Sequence, residues 1–123
     1  MIILRNARLL PVLTEGFKGT FADIILEDGI IQEIKDTKTA KITSGANVID
    51  LTGKTLLPGL IEAHLHLDLC GMNVYEENVQ QESYRVMRAL RLAQDNLKMG
   101  YTTVRDLGDR NNLVIGIARA VKD

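Results

Sequence analysis

The order strand, helix, strand over residues 60–107 constrains the fold of this chain more than any other feature. Leu60-Ile61-Glu62-Ala63-His64-Leu65-His66-Leu67 alternates bulky apolar residues with polar or small ones, the period of a strand. Leu69 to Asn78 reads as a loop containing Gly71 and Asn73. From about Val79 to Met99 the period becomes helical, with Val86, Leu90, Ala93 and Leu97 on one stripe. Glu76, Glu77 and Glu82 stand before or at its start and Arg85, Arg88, Arg91 and Lys98 follow, which complements the helix macrodipole. Gly100 sits where a left-handed cap closes such a helix. Tyr101 to Leu107 is a second strand ending at Gly108, and a further helix begins near Asn111 or Asn112, carrying Leu113, Ile117 and Val121. A strand-helix-strand unit requires parallel strands and a right-handed crossover.

Residues 1–57 follow a different rule, short strands separated by turns. Ile2 to Leu10 is the first, closed by Pro11. Phe21 to Leu26 and Ile30 to Ile34 flank Glu27-Asp28-Gly29, and an Asp-Gly pair between β-branched runs predicts a tight hairpin. After a polar stretch, Lys35 to Asn47, a second hairpin is expected from Val48 to Leu51, a turn at Thr52-Gly53-Lys54, and Thr55 to Leu57. The change of pattern at Pro58-Gly59 divides the chain into a small antiparallel sheet, 1–57, and an α/β part, 58–123.

Composition removes several function classes. Of 123 residues, 46% are hydrophobic and 25% charged, the balance of a globular chain. Fifteen Lys+Arg against sixteen Asp+Glu leave no field to attract nucleic acid or anionic lipid. Aromatics at 4%, with no Trp, leave little for stacking bases. A single cysteine excludes an internal disulfide and suits a reducing compartment. Arg5 and Arg8 interrupt the apolar start Met1 to Leu4, so neither a signal peptide nor a spanning helix is expected there. The expectation is a cytoplasmic protein without nucleic-acid or membrane partners.

The chain holds two histidines, His64 and His66, two apart on a predicted strand. Side chains at i and i+2 leave one face with Cα atoms about 6–7 Å apart, close enough for two imidazoles to share a metal. Imidazole suits Zn, Fe, Mn or Ni, so the pair does not name the element. Glu62 and Asp68 have the same parity, giving a face of Glu, His, His, Asp on a strand that parallel topology would bury. Such groups need partners or a metal, and a buried hydrogen-bonded network is the alternative. The pair also lies near the strand's C-terminal end, where α/β folds place ligands.

Leu57-Pro58-Gly59-Leu60-Ile61-Glu62-Ala63-His64-Leu65-His66-Leu67 resembles the first-strand signature of the amidohydrolase superfamily of metal-dependent hydrolases. The strands before it, including the Gly53-Lys54 turn, resemble the small β-sandwich flanking that family's barrel. Gly100-Tyr101-Thr102-Thr103-Val104-Arg105-Asp106-Leu107-Gly108 is similar to its second barrel strand, nearest the imidazolonepropionase-like and prolidase-like branch. The resemblance implies the beginning of a (β/α)₈ TIM barrel preceded by part of an antiparallel β-sandwich. It implies His64 and His66 as ligands of one or two divalent ions, zinc foremost, with Glu62 as a supporting residue. The implied activity is hydrolysis of C–N bonds in amides, peptides or cyclic amides by a metal-activated water, on a small-molecule or peptide substrate.

A whole barrel needs about 250 residues, whereas 66 follow Leu57. Catalytic zinc normally takes three protein ligands, and there is no third histidine. The expectation is therefore an N-terminal segment, inactive alone and prone to self-association through uncovered strand edges. A non-catalytic metal-binding or oligomer-forming module is the alternative. Among lesser candidates, Asp68 is read as a loop cap or hydrogen-bonding residue and Cys70 as a small buried hydrophobe. Arg105 and Asp106 are read as an ion pair or turn, the helical arginines as a solvated face, and Met72, Met87 and Met99 as packing or loop residues.

Overall fold

The computed structural model describes residues 1–37, 45–71 and 73–122. Met72 and residues 38–44 of the polar stretch lie outside the described residues. The chain forms two compact units, Met1–Pro58 and Gly59–Asp123.

The first unit is a four-stranded sheet of β1 (Ile2–Arg8), β2 (Phe21–Glu27), β3 (Ile30–Asp36) and β4 (Asn47–Asp50), in the order β3-β2-β1-β4. β2 and β3 form the expected hairpin. Its turn places Asp28 at φ 52° and Gly29 at φ 76°, the doubly left-handed geometry that the Asp-Gly pair supplies at low cost. Ala22 and Ile24 on β2 and Ala7 and Leu9 of the first strand and its exit are buried together, with Leu4, Leu26 and Ile34 packed against them. Leu4 and Ala7 have opposite parity, yet share this face because β1 slips register between them, with Asn6 at φ 60°. A bulge adds one residue and so reverses the alternation. Asn6 is held there by both neighbouring strands. Its N–H donates to Asp23 Oδ1 at 3.0 Å, and its side-chain amide donates to Asp50 Oδ1 at 3.0 Å. That bond, followed by those from the Thr52 hydroxyl and backbone, holds the Asp50 carboxyl below the ordinary carboxylate range.

The second hairpin does not form. β4 runs parallel to β1, pairing Ile2 with Asn47 through Arg5 with Asp50. After the turn the chain continues in the same direction on the same edge. Arg8 N–H donates to Lys54 O at 3.0 Å, and Leu56 N–H donates to Arg8 O at 2.9 Å. Thr52 and Gly53, the latter at φ 78°, therefore make a step rather than a reversal. The step lies opposite the Asn6 bulge, so one irregularity accommodates the other. The sheet is mixed where a wholly antiparallel one was expected.

In the second unit β5 (Leu60–Leu65) and β6 (Tyr101–Asp106) pair in parallel, joined through α1 (Val74–Asn78) and α2 (Glu82–Lys98), with α3 (Leu113–Ala120) following. A Cβ on Gly59 would fall inside the Thr102 side chain, so the entry to β5 has room only for glycine. Gly100 closes α2 at φ 98°, as expected. The expected loop up to Asn78 contains α1, because the Asn73 side chain accepts the N–H groups of Tyr75 and Glu76 and caps a turn of helix.

The packing face of α2 is also shifted from the expected stripe. Leu90 is 36% and Leu97 61% exposed. Ala89 is buried with Leu67 and Leu113, and Val86, Leu92 and Ala93 pack against this cluster. The inner face is centred on Arg85 and Ala89, a charged and a small residue to which hydrophobic periodicity gives little weight. Ile117 joins that cluster, but Val121 is exposed. No helix among the described residues is long and apolar enough to cross a membrane.

Candidate metal centre

β5 delivers Glu62 and His64, and His66 follows one residue past its end. The i, i+2 spacing brings the two rings together, with centroids 5.6 Å apart and planes at 77°. Both line an open pocket of about 350 Å³ whose wall includes Glu62, Cys70, Leu92 and Asn96. His66 Nδ1 lies 2.8 Å from Gly108 O. A carbonyl accepts only, so Nδ1 carries the proton in this bond and the Nε2 lone pair is left for a ligand. Glu62 Oε1 accepts the His64 backbone N–H at 3.1 Å, next to the register slip between Glu62 and Leu65. The carboxylate thus supplies a partner to backbone where the ladder is interrupted.

This pair fits a shared divalent cation. With metal–nitrogen bonds of about 2.0–2.1 Å and a nitrogen about 1.1 Å from its ring centre, two imidazoles at tetrahedral angles have centroids roughly 5 Å apart. The separation in this structure is close to that. Among the described residues no group of three or more His, Cys, Asp and Glu converges as a complete site. Alone, the pair would supply two ligands of such a site.

The expected polar face of four residues is not formed. Asp68 is fully buried and turned away from the pocket, its carboxylate bidentate on Arg85, with Nε at 2.8 Å and Nη2 on the second oxygen. The Arg110 backbone N–H adds a bond to Asp68 Oδ2 at 3.3 Å. Arg85 is therefore buried, which corrects the reading of the helical arginines as a solvated face. Arg88 is likewise engaged, donating to Asp68 O at 2.8 Å and to Glu77. Arg91 alone of the three remains exposed, its side chain 78% accessible. Cys70, read as buried, is exposed on the pocket wall. Met87 and Met99 are exposed.

Asp106 is a turn residue, and its bonds are more specific than the sequence suggested. Oδ2 accepts the Leu67 N–H at 2.8 Å and Oδ1 accepts the Gly108 N–H at 2.9 Å. Arg105 is exposed. The Asp-x-Gly spacing at a strand end was the available signal for Asp106. No sequence signal separated Arg85 from the other arginines of its helix.

The sequence profile of the amidohydrolase family matches residues 47–107, which contain the histidine pair, β5 and β6. The chain belongs to the amidohydrolase family. It is 32% identical over 78 residues to a dihydroorotase of Trichlorobacter lovleyi, covering 63% of this chain and 17% of that protein. It is 38% identical over 63 residues to an imidazolonepropionase of Nocardia farcinica, covering 50% of this chain and 16% of that protein. A solved amidohydrolase structure superposes with a TM-score of 0.78 at 31% identity, covering 98% of this chain and 28% of that one. The chain thus spans about a sixth of these curated relatives and under a third of the solved structure. Its two units have the fold of that portion of an amidohydrolase.

Proposed function

We propose that this chain is the N-terminal segment of a metal-dependent amidohydrolase that cleaves C–N bonds of amides, peptides or cyclic amides with a metal-activated water. His66 carries the reading: its proton is committed to Gly108 O, and its free nitrogen shares a pocket with His64. The names of the relatives, dihydroorotase and imidazolonepropionase, support hydrolysis at such bonds. His64 and His66 would hold the cation, zinc foremost. When bound, it would supply Lewis-acid activation of water and of the substrate carbonyl. This chain's own residues would orient the two imidazoles, through Glu62 at the His64 backbone and Gly108 at His66. In this reading residues 1–57 are part of a β-sandwich and residues 58–123 the first strand-helix units of a TIM barrel, in a cytoplasmic enzyme.

Two imidazoles fall short of the three ligands of a catalytic zinc. The 123-residue chain is therefore expected to give no turnover with dipeptide or cyclic-amide substrates. A polypeptide that continues this chain through the rest of the fold should hydrolyse one of these classes in a chelator-sensitive manner. Chelator-insensitive hydrolysis by such a polypeptide would contradict the reading. The isolated chain is also proposed to self-associate, because strand edges and apolar side chains such as Ile61 (69% exposed) and Ile30 (61%) lie bare. Sedimentation velocity should find species larger than a monomer, and a single stable monomer would count against it.

A further inference from the structure

The ends of β5 and β6 are clasped by three bonds, with a fourth inside the turn from Asp106 to Gly108, and one side chain organises them. Leu107 N–H donates to Leu65 O at 3.1 Å, continuing the ladder. Beyond it the backbones no longer pair, and the Asp106 carboxylate takes over, one oxygen on Leu67 N–H and the other on Gly108 N–H. Leu67 is the residue after His66, and Gly108 O is the acceptor for His66 Nδ1. Asp106 therefore fixes both the backbone that carries the imidazole and the peptide that receives its proton. Gly108 has φ 144°, a conformation few other residues adopt, and a Cβ there would meet no neighbouring atom. Its role in the clasp is conformational.

We propose that Asp106 is a positioning residue for His66: through Leu67 and Gly108 it selects the Nδ1–H tautomer and the ring orientation that present Nε2 to the pocket. The function of this selection rests on His66 being a metal ligand, but the selection itself exists in the metal-free chain. Asparagine in place of Asp106 has one acceptor oxygen for two N–H groups and presents an NH₂ to the other, which opens the clasp. A free neutral imidazole favours the Nε2–H form, so loosening the Gly108 carbonyl returns His66 toward it. One net hydrogen bond corresponds to a change of about fivefold in the tautomer ratio.

The test is ¹⁵N NMR of the two imidazoles in the metal-free chain near about pH 8, where unperturbed histidine is neutral. Wild type should show His66 as the Nδ1–H tautomer. Asp106→Asn should lower its ratio to the Nε2–H form about fivefold, while the His64 ring, which no described residue hydrogen-bonds, keeps its wild-type ratio. Gly108→Ala, which displaces the same carbonyl while leaving the Asp106 side chain intact, should do the same and serves if Asp106→Asn fails to fold. An Nε2–H tautomer in wild type, an unchanged ratio in the folded variants, or equal changes at His64 and His66 would each overturn the proposal. Adding zinc separates the two readings. If wild type binds none while His66 still responds to Asp106→Asn, the metal assignment fails and the positioning role stands.

Discussion

Arg85→Met is expected to destabilise the second unit by about 3–5 kcal/mol, the cost of leaving a buried carboxylate without its cation. The Asp68 side chain is fully buried and that of Arg85 is 3% exposed, so water cannot replace the lost guanidinium without opening the core around Leu67 and Ala89. Domains are stable by about 5–15 kcal/mol in total, so a unit of this size has little reserve. The double variant Asp68→Leu/Arg85→Met should recover a large part of the loss, since replacing a whole buried pair by apolar groups is close to neutral. Recovery should be incomplete, because the Arg110 N–H loses its Asp68 acceptor. Urea unfolding followed at β5 and β6 amides measures both. A shift below about 1 kcal/mol for Arg85→Met, the scale of a solvated surface pair, would show that the pair is not buried in solution. Asp68 lies two residues past His66 and anchors the loop leaving the candidate centre.

The features legible in the sequence are those where one local rule acts alone. Asp28-Gly29 can turn tightly in few ways, Gly100 ends a helix by left-handed backbone, and two histidines at i and i+2 share a face in any strand. The unread features depend on two elements meeting. Thr52-Gly53 has the composition of a hairpin turn, but whether it reverses the chain depends on the bulge at Asn6, more than forty residues away. Val86, Leu90, Ala93 and Leu97 make a valid apolar stripe. Yet the buried face is centred on Ala89 and Arg85, because burial of Arg85 depends on Asp68 across the unit. Strand parity places Asp68 on the histidine face, but its reading as a hydrogen-bonding loop residue is the one that holds: three residues past the end of β5 it is bidentate on Arg85. Of the candidate site, the proximity of the two imidazoles was legible, and the Asp106 and Gly108 hydrogen bonds around His66 were not.

Loss of metal binding on removing either imidazole is the second large effect expected. Removing residues that merely orient a ligand costs about 10–100-fold in metal affinity, so His64→Ala and His66→Ala should each exceed that range. Cys70→Ser, which alters the same pocket wall without touching either imidazole, should leave affinity unchanged. The most direct test of the shared-cation claim is a zinc titration of the ¹⁵N-labelled chain, following the Nε2 resonance of His66 and the ring nitrogens of His64 together. Both rings should respond along one binding curve with one affinity, and neither should bind in the absence of the other. Response of a single ring, separate curves for the two, or undiminished zinc binding in His64→Ala/His66→Ala would contradict it.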